Sequence, residues 1–137
     1  MKPRGIRNNN PGNIRTSPVK YIGEVKSTDP HFKQFESIEY GYRALFRLLY
    51  TYQVKHGLNT LRGMITRYAP PSENDTENYI QRVSEWSLIH PGIRITTTNR
   101  DTMIPLVAAM SRMENGLPAN MQEVERGWEL FTKDLQK

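Results

Sequence analysis

Apolar residues recur at spacings of three and four along most of the chain after residue 37, which is the period of an amphipathic helix. Five helices are predicted. Candidate capping residues for the first four are Ser37, Asn59, Asp75 or Ser72, and Asp101 or Thr102, and the fifth helix begins at about Asn120. The fourth helix, which carries Leu106 and Val107, is apolar on most sides. We therefore expect it to be the central buried helix of the fold.

The segment before residue 37 has a different pattern. Val19–Ile22 and Phe32–Phe35 are typical of a small hairpin, and Gly23 and Asp29-Pro30 are its breaks. One further strand at Ile93–Thr97 is an option within a loop. The fold class predicted is mainly α (α+β), as one domain over residues 1–137, with an Asn-rich loop and β-region in 4–35 and a helical part in 37–137.

The composition of the chain argues against several classes of site and segment. The chain has no cysteine, and its three histidines lack the spacing of a metal-binding pair on one helix turn. We therefore expect no metal and no cofactor. No apolar run approaches the roughly 20 residues that span a bilayer, and no apolar stretch follows the basic N-terminus. We expect neither membrane insertion nor a secretion signal.

The net charge of +5 belongs to the N-terminal segment, because residues 1–28 contain six basic residues and one acidic residue. Such a field indicates an anionic partner, for which nucleic acid, phospholipid and the bacterial cell wall all qualify. No nucleic-acid-binding motif accompanies the basic segment, so nucleic acid is the weaker choice.

The run Arg4 to Arg15 reads RGIRNNNPGNIR and contains three arginines and four asparagines. Asn-Pro and Pro-Gly interrupt regular structure here. The amides and guanidinium groups suit a polar ligand such as a sugar or a phosphate. The alternative is an ordered turn whose asparagine side chains bind their own main chain.

Glu114 follows the apolar fourth helix, at the negative end of the helix dipole. Partial burial there would also disfavour the charged form, so we expect a raised pKa. A carboxylic acid that stays protonated near neutral pH is what a glycosidase uses to protonate the leaving sugar oxygen. The alternative is a surface glutamate that pairs with Arg112 or Arg126.

A second polar segment, Ala69–Thr76, reads APPSENDT. Asp75 is first a helix cap, while Glu73, Asn74 and Thr76 are candidates for the wall of a cleft. Asp29 is a turn former and a distant candidate for a second carboxylate. Several aromatic residues could offer a stacking face to a sugar: Tyr21, Tyr50, Tyr52, Tyr68 and Trp86.

These segments, together with Tyr40–Ala44 and Glu114-Asn115-Gly116, resemble a family of small phage and prophage proteins. Its members are usually described as virion or structural proteins, and some as lysozyme-like peptidoglycan hydrolases. The resemblance runs from residue 4 to about residue 116. Tyr21 and Tyr68 stand where the family pattern has tryptophan, which keeps an aromatic face.

A second resemblance is to lysozyme-like lytic transglycosylases and glucosaminidases, in which the catalytic glutamate ends an apolar helix and an Asn-rich or Gly-rich β-segment follows. Here the Asn-rich segment precedes that helix in the chain. We therefore hypothesise a circularly permuted lysozyme-like fold that brings Glu114 beside Asn8–Asn13 in space.

The predicted function is binding and cleavage of peptidoglycan glycan strands, as a muramidase or lytic transglycosylase of a phage. The resemblance implies synthesis in the host cytoplasm and action at the cell wall, through the virion or at lysis. The candidate catalytic residues are Glu114, with Glu73 and Asp75 in reserve. The candidate binding residues are Arg7, Asn8, Asn9, Asn10, Asn13, Arg15, Tyr68 and Asn74. The alternatives are a non-enzymatic virion protein that contacts other virion proteins, and a nucleic-acid-binding protein.

Overall fold

A computed structural model describes residues 2–135. The elements in chain order are α1 (Arg4–Arg7), β1 (Glu24–Val25), β2 (Gln34–Phe35), α2 (Ile38–His56), α3 (Leu61–Tyr68), α4 (Thr76–Ser87), α5 (Arg100–Asn115) and α6 (Met121–Leu135). The five predicted helices are all present, and the mainly α, α+β class is confirmed.

The core forms where the apolar stripes of the long helices meet. Phe46 of α2 packs against Trp128 and Phe131 of α6, with ring centroids 5.0 and 6.0 Å apart. Helix α5 is buried through Met103, Val107 and their neighbours, as its apolar sequence predicted. Burying such side chains stabilises the fold by about 1.5–3 kcal/mol each, so these helices are the framework for everything else.

Several helix ends agree with the prediction. The Asp75 side chain accepts a hydrogen bond from the amide of Asn78 and so caps α4. Gly57 ends α2 and Gly116 ends α5, both in the left-handed conformation that glycine adopts without a steric penalty.

Two predicted caps were wrong. Helix α3 is capped by Thr60, whose hydroxyl accepts from the amide of Gly63, while the Asn59 carbonyl accepts from Ile95 of a neighbouring segment. Helix α5 begins before Asp101 and Thr102, because the Asn99 side chain accepts from the amides of both residues. In each case the cap is the adjacent residue whose side-chain oxygen reaches the free amides of the first turn.

The β-region is smaller than predicted. Strand β1 pairs antiparallel with β2, with Glu24 opposite Phe35, and Gly23 lies in the preceding turn at φ 84°. Val19–Ile22 was predicted as a strand and is not one, because the Val19 carbonyl accepts from the Lys33 ammonium group instead of a partner strand. Ile93–Thr97 is also a loop, with one isolated bridge from Arg94 to Thr60.

The Asn-rich run also differs from expectation. Its first residues form the single helical turn α1, where the sequence predicts a loop. Pro3 precedes this turn, where its missing N–H costs no hydrogen bond. Within residues 2–135, no helix is long and apolar enough to cross a membrane.

Candidate functional site

A cleft of about 550 Å³ lies between the Asn-rich loop, the segment before β1, helices α2 and α3, and the end of α5. Its wall carries charged, amide and aromatic side chains, including Asn13, Arg15, Tyr21, Tyr52, Arg67, Tyr68, Glu73, Asn74 and Glu114. The cleft therefore combines hydrogen-bonding groups and flat rings, which is the composition that polar, ring-shaped ligands need.

Glu114 lies in the last turn of α5 and is half-buried. The Asn13 amide donates to its Oε1 at 2.9 Å, and the Tyr79 hydroxyl donates to its Oε2 at 2.8 Å. The predicted proximity of Glu114 to the Asn-rich loop is therefore present, across a separation of 101 residues in the chain.

The pKa of Glu114 is raised, in the predicted direction, and burial is the main cause. The hydrogen bonds from Asn13 and Tyr79 and the positive charge of Arg15 act in the opposite sense, since they stabilise the carboxylate. The result is a carboxylic acid that retains its proton to higher pH than an exposed glutamate does.

The surface ion pairs that were the alternative for Glu114 do not form. The guanidinium carbon of Arg112 lies 4.2 Å above the ring of Trp86, and Arg126 contacts Glu129 at 3.7 Å. Both hydrogen-bond donors to Glu114 are neutral side chains. Within residues 2–135, no cation lies within 4.0 Å of its carboxyl group.

Two tyrosines beside Glu114 stay in the neutral form. Burial raises the pKa of Tyr68 and of Tyr79 well above the ordinary value, and the Glu114 charge acts in the same direction. Tyr79 is therefore a hydrogen-bond donor to Glu114 at any physiological pH. The Tyr68 hydroxyl donates to the carbonyl of Gly12, which attaches α3 to the loop.

Three asparagines proposed as ligand contacts are used inside the protein instead. Asn10 is fully buried and donates to the carbonyls of Ile14 and Lys33. Asn9 donates to the Phe35 carbonyl, and the amide of Asn8 donates to Asp29. None of the three lines the cleft. Asn9 and Asn10 bind main-chain carbonyls, as the alternative of an ordered turn describes, whereas Asn8 binds a carboxylate side chain.

Asn13 is the asparagine of this run that reaches the cleft. Its backbone has φ 52°, a left-handed conformation that asparagine tolerates better than most residues. The loop around it is attached to the end of α5, because Asn115 donates to the Pro11 carbonyl at 2.8 Å. A side chain at Gly41 of α2 would overlap the Asn9 carbonyl, so the helix and loop backbones are in close contact.

The remaining predicted residues divide between cleft and surface. Arg15, Glu73 and Asn74 line the cleft, and Arg15 contacts Glu73 at 3.4 Å. Arg7 is exposed outside the cleft, and Asp75 caps α4 on a different surface. A catalytic role for Asp75 therefore has no geometric support.

Asp29, the distant candidate, forms a two-pronged ion pair with Arg4 at 2.6 and 2.7 Å. The hydrogen bond from Arg4 is the main reason that the pKa of Asp29 lies well below its usual range. Asp29 also accepts hydrogen bonds from the amides of His31 and Phe32, and so fixes the turn that the sequence predicted.

Sequence reasoning missed two residues of the site, Arg67 and Lys33. Arg67 lines the cleft from α3, beside Tyr52 of α2, which was a candidate for stacking on a sugar. Lys33 is fully buried, and its ammonium group contacts both carboxylate oxygens of Glu24 at 3.1 Å and the carbonyls of Ser17 and Val19. It thereby fixes the 17–24 segment that forms one wall. Within residues 2–135, no three acidic or histidine side chains cluster as metal ligands.

The fold and site define a small, mainly helical protein with a half-buried carboxylic acid in a polar, aromatic cleft. No known protein-family model matches the chain. The chain is 40% identical over 131 residues to Protein P5 of Pseudoalteromonas phage PM2, an alignment that covers 92% of this chain and 80% of the relative. It therefore belongs to the family of this phage protein, and the phage part of the predicted resemblance is confirmed.

Proposed function

We propose that this phage-family protein binds peptidoglycan glycan strands and cleaves the β-1,4 link between their amino sugars, with Glu114 as general acid. One observation carries the proposal. Glu114 lies on the wall of a cleft, its pKa is raised, and its hydrogen-bond donors, Asn13 and Tyr79, are neutral. A half-buried carboxyl group whose hydrogen-bond partners are neutral is favoured in the protonated form, which is the form that a general acid needs.

The chemistry needs one carboxyl group that first gives and then takes a proton. Protonated Glu114 donates its proton to the glycosidic oxygen as the C1–O bond breaks, and positive charge develops at C1. The carboxylate formed then takes the proton of the sugar's own C6 hydroxyl, whose oxygen bonds to C1. The products are an anhydro sugar and a free 4-hydroxyl group, and Glu114 ends protonated as it began.

The environment of Glu73, the second carboxylate in the cleft, favours this one-carboxyl scheme over ordinary hydrolysis, which needs two. The Glu73 side chain is 56% exposed and contacts Arg15, so it lacks the environment of a fixed nucleophile or base. Asn13, Asn74 and the rings of Tyr21 and Tyr68 lie on the cleft wall, where they would contact the acetamido groups and the sugar faces. The permuted relationship to lysozyme-like enzymes is part of the same proposal.

The test is release of soluble muropeptides from purified peptidoglycan by the wild-type chain and by the Glu114→Gln variant. Glutamine keeps the size and removes the proton donor. Glu36→Gln is the matched control, because Glu36 is exposed and outside the cleft. We expect release by wild type and control, with anhydro-sugar ends, and at least a 100-fold reduction in Glu114→Gln. Equal release by all three would place the reaction elsewhere.

A second function is a non-enzymatic component of the virion that contacts other virion proteins. Two observations favour it: the relationship to a phage protein, and the internal use of the amides of Asn8, Asn9 and Asn10. If folded wild-type protein releases nothing from peptidoglycan, and phage that encode Glu114→Gln assemble and infect normally, this function replaces the first.

A further inference from the structure

The cleft carries more positive charge than the proposed reaction uses. Its charged side chains are Arg15, Arg67, Glu73 and Glu114. The ion pair in the cleft joins Arg15 to Glu73, and both hydrogen-bond donors to Glu114 are neutral, so neither carboxyl group is paired with Arg67. The cleft is therefore suited to a ligand that carries its own negative charge.

Arg67, unlike Arg15, has no acidic side chain paired with it among residues 2–135. Its guanidinium carbon lies 5.3 Å from the centre of the Tyr52 ring, which limits the orientations of the side chain. None of the ion pairs formed within residues 2–135 includes Arg67, although it is exposed on the cleft wall. A guanidinium group already stacked on a ring loses little freedom when it binds an anion.

Arg15 completes the pair. Its contact with the exposed Glu73 is 3.4 Å long, and its guanidinium carbon lies 5.7 Å from the centre of the Phe32 ring. An exposed ion pair of that length contributes little, so a ligand carboxylate can compete with Glu73 for Arg15. The positive charge of Arg15 also reaches Glu114, where it opposes the rise in pKa.

We propose that Arg67 and Arg15 form a carboxylate subsite, which binds an acidic group that the glycan strand carries near the bond to be cleaved. This inference rests on the proposed function. Guanidinium groups bind carboxylates through paired N–H donors. Neutral amino sugars carry no carboxylate for these donors to bind. The subsite would therefore make the cleft selective for strands that carry a carboxylate over uncharged chitin-type strands.

Two sources of carboxylate fit this chemistry: the lactyl group of strands stripped of peptide, and the peptide stems of intact strands. The experiment measures binding in a Glu114→Gln background, so that cleavage plays no part. The ligands are soluble intact strands, amidase-stripped strands and chitooligosaccharides. Arg67→Gln is compared with Arg82→Gln, which removes the same charge from an exposed position outside the cleft.

We expect Arg67→Gln to weaken binding of a carboxylate-bearing ligand about tenfold and of chitooligosaccharides less than about twofold. Arg82→Gln should change each by less than about twofold. Loss confined to stripped strands identifies the lactyl carboxylate, and loss confined to intact strands identifies the peptide. Arg67→Lys, which keeps the charge without the planar fork, should lie between wild type and Arg67→Gln.

The outcomes separate this inference from the proposed function. Equal effects of Arg67→Gln on all three ligands, or no effect on any, overturn the subsite while glycan binding stands. Binding of none of the three by the parent protein overturns both. Weakened binding of a single-stranded oligonucleotide, with glycan binding unchanged, assigns the two arginines to phosphate and overturns the subsite.

Discussion

The hydrogen bond from Tyr79 to Glu114 is the contact through which the acid can be perturbed most cleanly. The ring of Tyr79 is buried in the core, and its hydroxyl donates to Glu114 Oε2 at 2.8 Å. Tyr79→Phe removes that donor and keeps the ring. Because the hydroxyl stabilises the carboxylate, its loss should raise the pKa of Glu114 further above the ordinary value.

The magnitude depends on the charge of Glu114. A hydrogen bond to an ionised carboxylate contributes about 1.5–3 kcal/mol, and one to a neutral acid about 0.5–1.5 kcal/mol. Tyr79→Phe should therefore lower the free energy of unfolding by about 1 kcal/mol more at high pH than at low pH. The sign follows from linkage. A carboxyl group with a raised pKa destabilises the fold as pH rises from its unfolded to its folded pKa, and the variant extends that loss to higher pH.

The assay is urea unfolding of both proteins at several values between about pH 4 and about pH 8. Tyr50→Phe is the control, because Tyr50 packs its ring 5.8 Å from Phe131 and its hydroxyl has no hydrogen-bond partner within residues 2–135. Its effect should not vary with pH. A cost of Tyr79→Phe that is constant across the range, or larger in acid, would refute the reasoning. In the cleavage assay, the loss of activity at alkaline pH should move to higher pH.

Three further changes should alter stability, each measured by the urea midpoint. Gly41→Ala should cost about 1–3 kcal/mol or more, because the added carbon overlaps the backbone carbonyl of Asn9. Lys33→Met should cost up to about 3–5 kcal/mol, because it leaves the buried Glu24 carboxylate with only a longer contact, of 3.6 Å, to the exposed Lys20. Glu114→Gln should become more stable relative to wild type as pH rises through the raised pKa of Glu114, since glutamine cannot ionise.

Each of these has its own control. Gly92→Ala should change stability by less than about 0.5 kcal/mol, since the nearest atoms are 3.5 Å from the added carbon. If Gly41→Ala and Gly92→Ala lower stability equally, the close contact at Gly41 does not cause the loss of stability. Adding Glu24→Gln to Lys33→Met should restore part of the loss, and a strictly additive double variant would contradict the ion-pair account. A stability difference for Glu114→Gln that does not vary with pH would show that the carboxyl group does not titrate abnormally.

The sequence predicted the helical part of the fold because that part depends on local periodicity. The stripes that contain Leu49, Val107 and Phe131 face the core as their spacing required. Helix ends were less predictable where two capping residues are adjacent, as at Asn59 and Thr60. There the choice depends on a contact from Ile95, which local sequence does not reveal.

The site was predictable only in part. Glu114 was found because its position at the end of the apolar helix α5 is a local property of the sequence. The hydrogen bond from Asn10 to the Lys33 carbonyl could not be read from its neighbours, because Lys33 lies 23 residues away. Arg67 was missed for a similar reason. Nothing in its local sequence distinguishes it, and only the folded chain brings it to the cleft wall that contains Glu114.

The hydrogen bonds of Asn13 with Glu114 and of Asn115 with Pro11 have a consequence for the timing of biosynthesis. They join residues 101 and 104 positions apart, so the Asn-rich loop leaves the ribosome long before its partners exist. At about 5–20 residues per second, that delay is about 5–20 seconds. During this time Asn13 has no Glu114 to bind, because Glu114 is synthesised about 100 residues after the loop. A nascent chain stalled before residue 114 therefore lacks the carboxyl group and the Asn115 amide to which the loop binds in the complete fold.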